Sequence, residues 1–435
     1  MENVTIGFIG LGAGILLLLL RVQIGVALGL VSFIGIAVLL NMRAAWGIIT
    51  AIPFNFVGDW NLTAIPMFLL MGFIASEAGL SSGLFRTMRM LLSWLPGGLA
   101  VASVGASAVL AAASGSSVAT SSAFARIATP EMLRYRYDPG LATGVIAAAG
   151  TLGSLIPPSI LMVLYGYLAE VSVAKLFAAG VMPGILTALV FTTMIVLRVI
   201  RKPSLAPKVE TSFTRAELLD AIKETWALPV IILGVLAGIF LAVFTPTEAG
   251  AVGAALAIVV AALKRSLTWA VLARGFRQTL VSTASIFMVV IGTSLLGRFM
   301  ALSGVPGFVA DAFIAWGSSP LMVILAVSLL YLLLGCFLDS IGILLLTMPI
   351  ILPMAHEAGL DLIWFGIILV KLLEVGLLTP PVGLNVYIIK GALGDRVSLT
   401  TIFRGVGWFV AVDLLVLLAL VFLPGITLWL PGMME

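Results

Sequence analysis

Gly153-Ser154-Leu155-Ile156-Pro157-Pro158 cuts through an otherwise apolar run, Leu141–Tyr167. Proline has no backbone N–H, so two in succession remove two donors and break a helical ladder. In hydrocarbon, unwound backbone survives only where protein covers it or where it lines a cavity. The same break recurs later, where Thr379-Pro380-Pro381 interrupts Leu362–Ile389. At an offset of 223, Pro157-Pro158 aligns with Pro380-Pro381, Gly153 with Gly376, Pro130 with Pro353 and Asp138 with Asp361. A rare Pro-Pro pair repeated at one offset implies an internal duplication. Further upstream Gly72 resembles Gly292 and Gly79 resembles Gly304, with a drifting offset.

The composition supplies the setting. Of 435 residues, 62% are hydrophobic and only 10% are charged, against about 25% charged in a soluble domain. Apolar stretches of roughly 18 residues or more recur along the chain, as membrane helices require. The alternating pattern of an outer-membrane barrel is absent. The expected fold class is therefore an all-α polytopic membrane protein. Net charge is +4, read as basic loops on the cytoplasmic side, with no nucleic-acid partner. A single cysteine, Cys336, excludes an internal disulfide. The start, Met1-Glu2-Asn3, has no basic region, so the first apolar stretch reads as a retained span.

Each half carries a hairpin beside its broken helix. Small-residue-rich Gly97–Ala113 ends in Ser114-Gly115-Ser116-Ser117 and returns through Ser121, Phe124, Arg126 and Pro130. Leu321–Leu338 ends in Asp339-Ser340, and Ile341–Pro353 returns. Both read as re-entrant hairpins. Ser81–Pro96 and Val305–Trp316 read as interfacial arms. The expected domains are 1–60, N-terminal scaffold spans; 61–200, repeat 1 with hairpin 81–138 and broken helix 140–170; 201–279, linker and scaffold spans; and 280–435, repeat 2. Repeat 2 holds hairpin 320–357, broken helix 361–392 and a final span, Phe403–Leu423.

Placing the N-terminus outside sends the two hairpins in from opposite faces. Nineteen of the 23 Lys and Arg residues then fall on the cytoplasmic side. The base of the second hairpin, His356-Glu357 to Asp361, has no basic residue, while the base of the first carries three arginines. This asymmetry favours inverted repeats with both termini periplasmic in a bacterial inner membrane.

Catalytic motifs are missing. His356 is the only histidine, which excludes a zinc-protease helix and Ser–His catalysis, and there is no P-loop for ATP. The expectation is a transporter, not an enzyme, driven by an ion gradient or a partner. Half-helix ends expose free carbonyls and amides. Carbonyls with Ser, Thr or Asp oxygens can replace the shell of a small cation, and helix N-termini favour an anion. The first half offers Ser114, Gly115, Ser116 and Ser117 facing Gly153–Pro158; the second offers Asp339 and Ser340 facing Thr379–Pro381, with Gly383 and Asn385 next along. At the offset of 223, Ser116 corresponds to Asp339 and Ser117 to Ser340. Proline kinks with small packing residues are the alternative reading.

Arg298 lies in the apolar run Ile286–Leu302. An intramembrane charge costs at least roughly 2.5–3.5 kcal/mol, so it has a partner, a function or a route to the interface. A substrate carboxylate is one such partner. Lys371 and Glu374 sit three apart on one helix and pair with each other. Asp413 lies inside the last span without an assigned role.

Taken together, Ala113-Ser114-Gly115-Ser116-Ser117, Gly153–Ser159, Phe244-Thr245-Pro246-Thr247-Glu248-Ala249, Phe337-Leu338-Asp339-Ser340 and Leu378–Asn385 resemble the large membrane subunit of the tripartite ATP-independent periplasmic (TRAP) transporters. The resemblance covers essentially the whole chain. It implies an elevator-type ion-transporter fold and import coupled to sodium (Na+). It also implies a small membrane subunit as a separate chain, and a periplasmic substrate-binding protein that delivers a dicarboxylate, sialic acid or similar organic acid. Carried over by motif, the sodium ligands come from Ser114, Gly115, Ser116, Ser117, Gly153 and Pro157, and from Asp339, Ser340, Thr379, Pro380 and Gly383. Arg298, Ser116 and Asn385 face the substrate. A stand-alone sodium-coupled anion carrier of the same fold is the alternative.

Overall fold

The structure, a computed structural model, describes residues 2–81, 83–208, 213–315, 319–336 and 338–434. Ser82, Trp316, Phe337 and part of the basic segment after Arg201 lie outside the described residues. Among the described residues there are helices and no strand.

The chain opens with α1 (Glu2–Leu19), α2 (Ile24–Leu39) and α3 (Met42–Val57). Then α4 (Ala64–Glu77) and α5 (Leu84–Leu92) lead into the hairpin α6 (Gly98–Ser114) and α7 (Ser117–Arg134). The first broken run is α8 (Pro139–Leu155) and α9 (Ile160–Leu168), bent by 41°, and α10 (Val173–Arg201) closes the half. α11 (Arg215–Thr225), α12 (Ala227–Phe240) and α13 (Pro246–Leu263) connect the halves. The second half runs α14 (Trp269–Ser303), α15 (Val305–Ala315), hairpin α16 (Pro320–Gly335) and α17 (Ser340–Glu357), broken run α18 (Leu362–Gly376) and α19 (Leu384–Leu393), then α20 (Leu399–Phe422). A single turn, α21 (Gly425–Leu428), follows.

The duplication reaches the element ends. α7 and α17 begin and end 223 residues apart, and so do the starts of α8 and α18. Local chemistry explains the match. Asp138 and Asp361 cap α8 and α18, accepting from Leu141 N and Trp364 N at 2.9 Å each. Ser116 and Asp339 cap α7 and α17. A side-chain acceptor at the N-cap satisfies an amide that the helix leaves free. Gly115, in the left-handed region at φ 59°, ends α6 where a β-carbon is disfavoured. Both double prolines are cis. The two breaks differ in length: 156–159 separates α8 from α9, and 377–383 separates α18 from α19.

Among the described residues, six helices are long and apolar enough to cross a membrane, or up to eight if each bent pair is one span. Large apolar side chains such as Phe54, Leu329 and Trp269 face outward, a surface suited to lipid. One boundary differs from the sequence reading. There the linker and scaffold region ends at 279 and repeat 2 starts at 280. Instead α14 runs unbroken for 35 residues, about 52 Å at 1.5 Å per residue. No proline interrupts it. That length exceeds a hydrocarbon core of about 30 Å, and near its start Arg274 meets Glu77 of α4 at 2.6 Å.

The halves are interleaved. α6 and α7 pack on α8, while α19 of the second half packs on α7 and α8. Reciprocally, α9 packs on α17 and α18. α20 lies along α8, with Gly140, Gly144 and Gly405 bringing the two backbones together. α2 and α4 pack on α14, and α13 packs on α4; between α2 and α14, Gly25 and Gly292 approach so closely that a β-carbon on either would strike backbone.

Candidate functional site

The two hairpin tips meet. A cavity of about 90 Å³ is lined by Ser116 and Ser117 from the first tip, Asp339 and Ser340 from the second, and Ser154 at the first break. Gly115 from the tip of α6, Leu377 and Leu384 from the second break, and apolar Val118, Ile160, Leu161 and Ile341 make up the rest of the wall. Four half-helix ends therefore converge on one small space.

Each polar group there has a local reason for its position. Ser116 accepts from Ala119 N at 3.4 Å as the cap of α7, and Asp339 accepts from Gly342 N at 3.1 Å as the cap of α17. Ser117 Oγ and Ser154 Oγ are 2.7 Å apart, a bond that pins the first tip to the first break. Ser114 does not line the cavity; its Oγ lies 2.9 Å from Thr120 Oγ1, stiffening the turn. Gly153 passes under the tip: a β-carbon there would lie 2.7 Å from Ser116 O and 2.9 Å from Ser117 N. A β-carbon on Gly115 would lie 2.9 Å from Pro158 O. Ser340 Oγ is buried without a hydrogen-bond partner. An unpaired buried hydroxyl costs about 1–3 kcal/mol, which a ligand oxygen or a cation would offset. One carboxylate, several hydroxyls and the N-terminal ends of α7 and α17 can therefore hold a small cation beside an anionic group.

Not every residue expected at the site is there. Thr379 turns its hydroxyl back to Val375 O at 2.7 Å, and Pro380 is exposed. Pro157, Gly153 and Gly383 flank the cavity in sequence and do not line it. Asn385 is fully buried, donates to Ala147 O at 3.2 Å and so ties α19 to α8. Arg298 lines a different cavity, about 530 Å³, formed with Gly47, Ile48, Ala51 and Ile52 of α3. That cavity shares Ser294, Gly297 and Ala301 with a third, about 330 Å³, bounded by Met348, Pro349 and Leu352 of α17. Arg298 and Asn385 thus stand outside the tip cavity, because α14 and α19 present these side chains to other neighbours. Within the segment Gly153–Pro158 that the sequence sets opposite the first tip, Ser154 is the residue that lines the cavity.

A second polar cluster lies at the junction of α10, α18 and α20. Lys371 Nζ is 2.6 Å from Asp413 Oδ1, 3.3 Å from Glu374 Oε2 and 3.1 Å from Thr187 Oγ1. All four residues are fully buried. The expected Lys371–Glu374 pair is present, and Asp413 joins it from the last long helix.

Residues 11–426 match the family model described as the tripartite ATP-independent periplasmic transporter, DctM component. The chain belongs to the DctM family. This DctM-family chain is 35% identical to the C4-dicarboxylate TRAP transporter large permease protein DctM of Pseudomonas aeruginosa, covering 86% of each. Its identity to the sialic acid TRAP transporter large permease protein SiaM of Vibrio cholerae is 32%, over 86% of this chain and 87% of the relative. Among solved structures, the Alcanivorax borkumensis YdaH transporter superposes with a TM-score of 0.63 at 15% identity, covering 90% of this chain and 91% of that one. That likeness concerns the fold. The relatives are transporter permeases, and the chain is the large permease of a TRAP transporter.

Proposed function

We propose that this permease imports a small organic acid, a dicarboxylate, sialic acid or similar carboxylate, by sodium-coupled symport across the bacterial inner membrane. The observation that carries the reading is the cavity, with a carboxylate and several hydroxyls in its wall, where both hairpin tips and both helix breaks converge. Sodium is bound as a coupling ion by oxygens of the tips and breaks, and its charge draws the substrate carboxylate to the ends of α7 and α17. Ser116, Ser117, Ser154, Asp339 and Ser340 are the residues in reach. Arg298 meets the substrate only at another stage of the cycle, since it faces a neighbouring cavity here. The two hairpins with their broken helices move together against the helices around α14, an elevator with inverted halves and both termini periplasmic. The names of the relatives support a periplasmic substrate-binding protein and a small membrane subunit as partners.

The test is uptake into proteoliposomes of the chain with its small subunit and binding protein. Asp339→Ala removes the sole carboxylate lining the tip cavity, and sodium-dependent uptake falls to background while the protein stays monodisperse. Undiminished uptake with unaltered sodium dependence refutes the assignment. Full uptake by the chain alone identifies a stand-alone carrier instead.

A further inference from the structure

Lys371, Glu374 and Asp413 put two carboxylates against one ammonium where no water reaches any of the three. With every group ionised the cluster carries a net −1. Among the described residues no neighbouring cation corrects this. The α-helices that make the main contacts with α18, α10 and α20 are α6, α8, α9, α12, α16, α17, α19 and α21, and the short 3-10 turns Pro203–Leu205 and Pro431–Met434, which also touch α10, carry no charge. Of these, α6, α8, α9, α12, α16 and α21 contain no charged residue. α17 has His356 and Glu357 at its far end, and Lys390 of α19 is engaged with Asp395 at 3.3 Å. Lys175, Arg198 and Arg201 on α10 are 12, 11 and 14 residues from Thr187, and Arg404 is nine from Asp413, so each is roughly 13 Å or more away along its helix. The nearby tyrosines face elsewhere: Tyr165 donates to Leu362 O at 2.6 Å, Tyr331 pairs with Thr347 at 2.7 Å, and Tyr387 is exposed.

The hydrogen bonds are incomplete in a matching way. Glu374 Oε1 has no partner, and neither oxygen of Asp413 accepts an aligned hydrogen bond, the 2.6 Å approach of Lys371 being charge to charge. Because Glu374 Oε2 and Asp413 Oδ1 both touch one nitrogen, they are at most about 5.9 Å apart, the two contacts laid end to end. An uncompensated buried charge is strongly unfavourable. A metal cation would need the place between the carboxylates that the ammonium already fills. A proton needs no such room and gives an orphaned oxygen a donor.

We propose that Glu374 and Asp413 hold one proton between them, which makes the α10–α18–α20 junction a proton-binding site separate from the tip cavity. The proton sits on Glu374, the carboxylate farther from Lys371, and Asp413 stays ionised as the partner of the ammonium. Two carboxylates close enough to interact titrate as a pair, and one proton serves both. α10 belongs to the first half and α18 and α20 to the second, so the proton neutralises a seam between the repeats.

Infrared spectroscopy of the purified complex containing the full-length chain tests this without any transport assay. The carbonyl stretch of a protonated carboxylic acid is separate from the carboxylate bands. In wild type minus Glu374→Gln difference spectra at neutral pH, that band stands as a positive peak, because the variant lacks it. It is lost equally in Asp413→Asn, because Glu374 then ionises against Lys371. Glu374→Gln is expected to fold, since glutamine is the neutral isostere, and to lose less thermal stability than wild type as the pH is raised. A protonated-acid band that survives both substitutions overturns the proposal, as does the absence of any such band. Failure of Glu374→Gln to fold overturns it as well, because the ionised carboxylate would then be required.

Discussion

At the residue scale, the most consequential side chain outside the tips is Lys371. It is the lone cation facing two buried carboxylates. Removing one partner of a buried ion pair costs about 3–5 kcal/mol because the other charge stays buried. Lys371→Ala is therefore expected to lose stability by that order, read as a lowered melting temperature in detergent. Pairing it with Asp413→Asn recovers much of the loss. Gly376 illustrates a different constraint: its added β-carbon would lie 2.8 Å from the α-carbon of Gly335. Gly376→Val forces α18 away from the end of α16, and overpacking of this kind costs about 1–3 kcal/mol. The readout is again the melting temperature, with Gly391→Val, where nothing crowds the site, as the near-neutral control.

At the element scale, the halves were legible because helix punctuation is local. Asp138 and Asp361 each supply a cap 223 residues apart. Asp138→Ala and Asp361→Ala are each expected to cost about 1 kcal/mol, the usual value of an N-cap, and to cost alike. Thermal unfolding of the two variants side by side checks this; a several-fold disparity would mean that the caps are not equivalent. The hairpins and breaks were readable for the same reason, since prolines and Gly/Ser tips act on their own backbone. The length of α14 was not. Arg274 and Arg277 put charge near its start, but charge at one end of a helix does not end it, and Glu77 on α4 receives Arg274 at 2.6 Å.

At the scale of the whole molecule, the inverted arrangement makes a prediction about sidedness. Single cysteines at positions 134 and 356, in a Cys336→Ser background, are expected to react with impermeant thiol reagents from opposite faces of the membrane. Labelling from one face alone would contradict inversion. The tip cavity also belongs to this scale. Ser116 and Asp339 are 223 residues apart, yet they share one wall because α19 packs on α7 while α9 packs on α17.

By itself the sequence determined that this is a helical membrane protein of two related halves, each with a hairpin tip and a fractured helix. Apolar length, double prolines and capping residues act over a few neighbours, so they can be read along the chain. Which side chains share a space was decided only by tertiary structure. Arg298 and Asn385 carry the polar chemistry expected of a substrate site, yet the packing of α14 and α19 turns them to α3 and α8. Asp413 looked idle until α20 brought it to Lys371. Contacts between helices depend on rotation and depth in the bundle, which the sum of the packing interactions sets and no local pattern encodes.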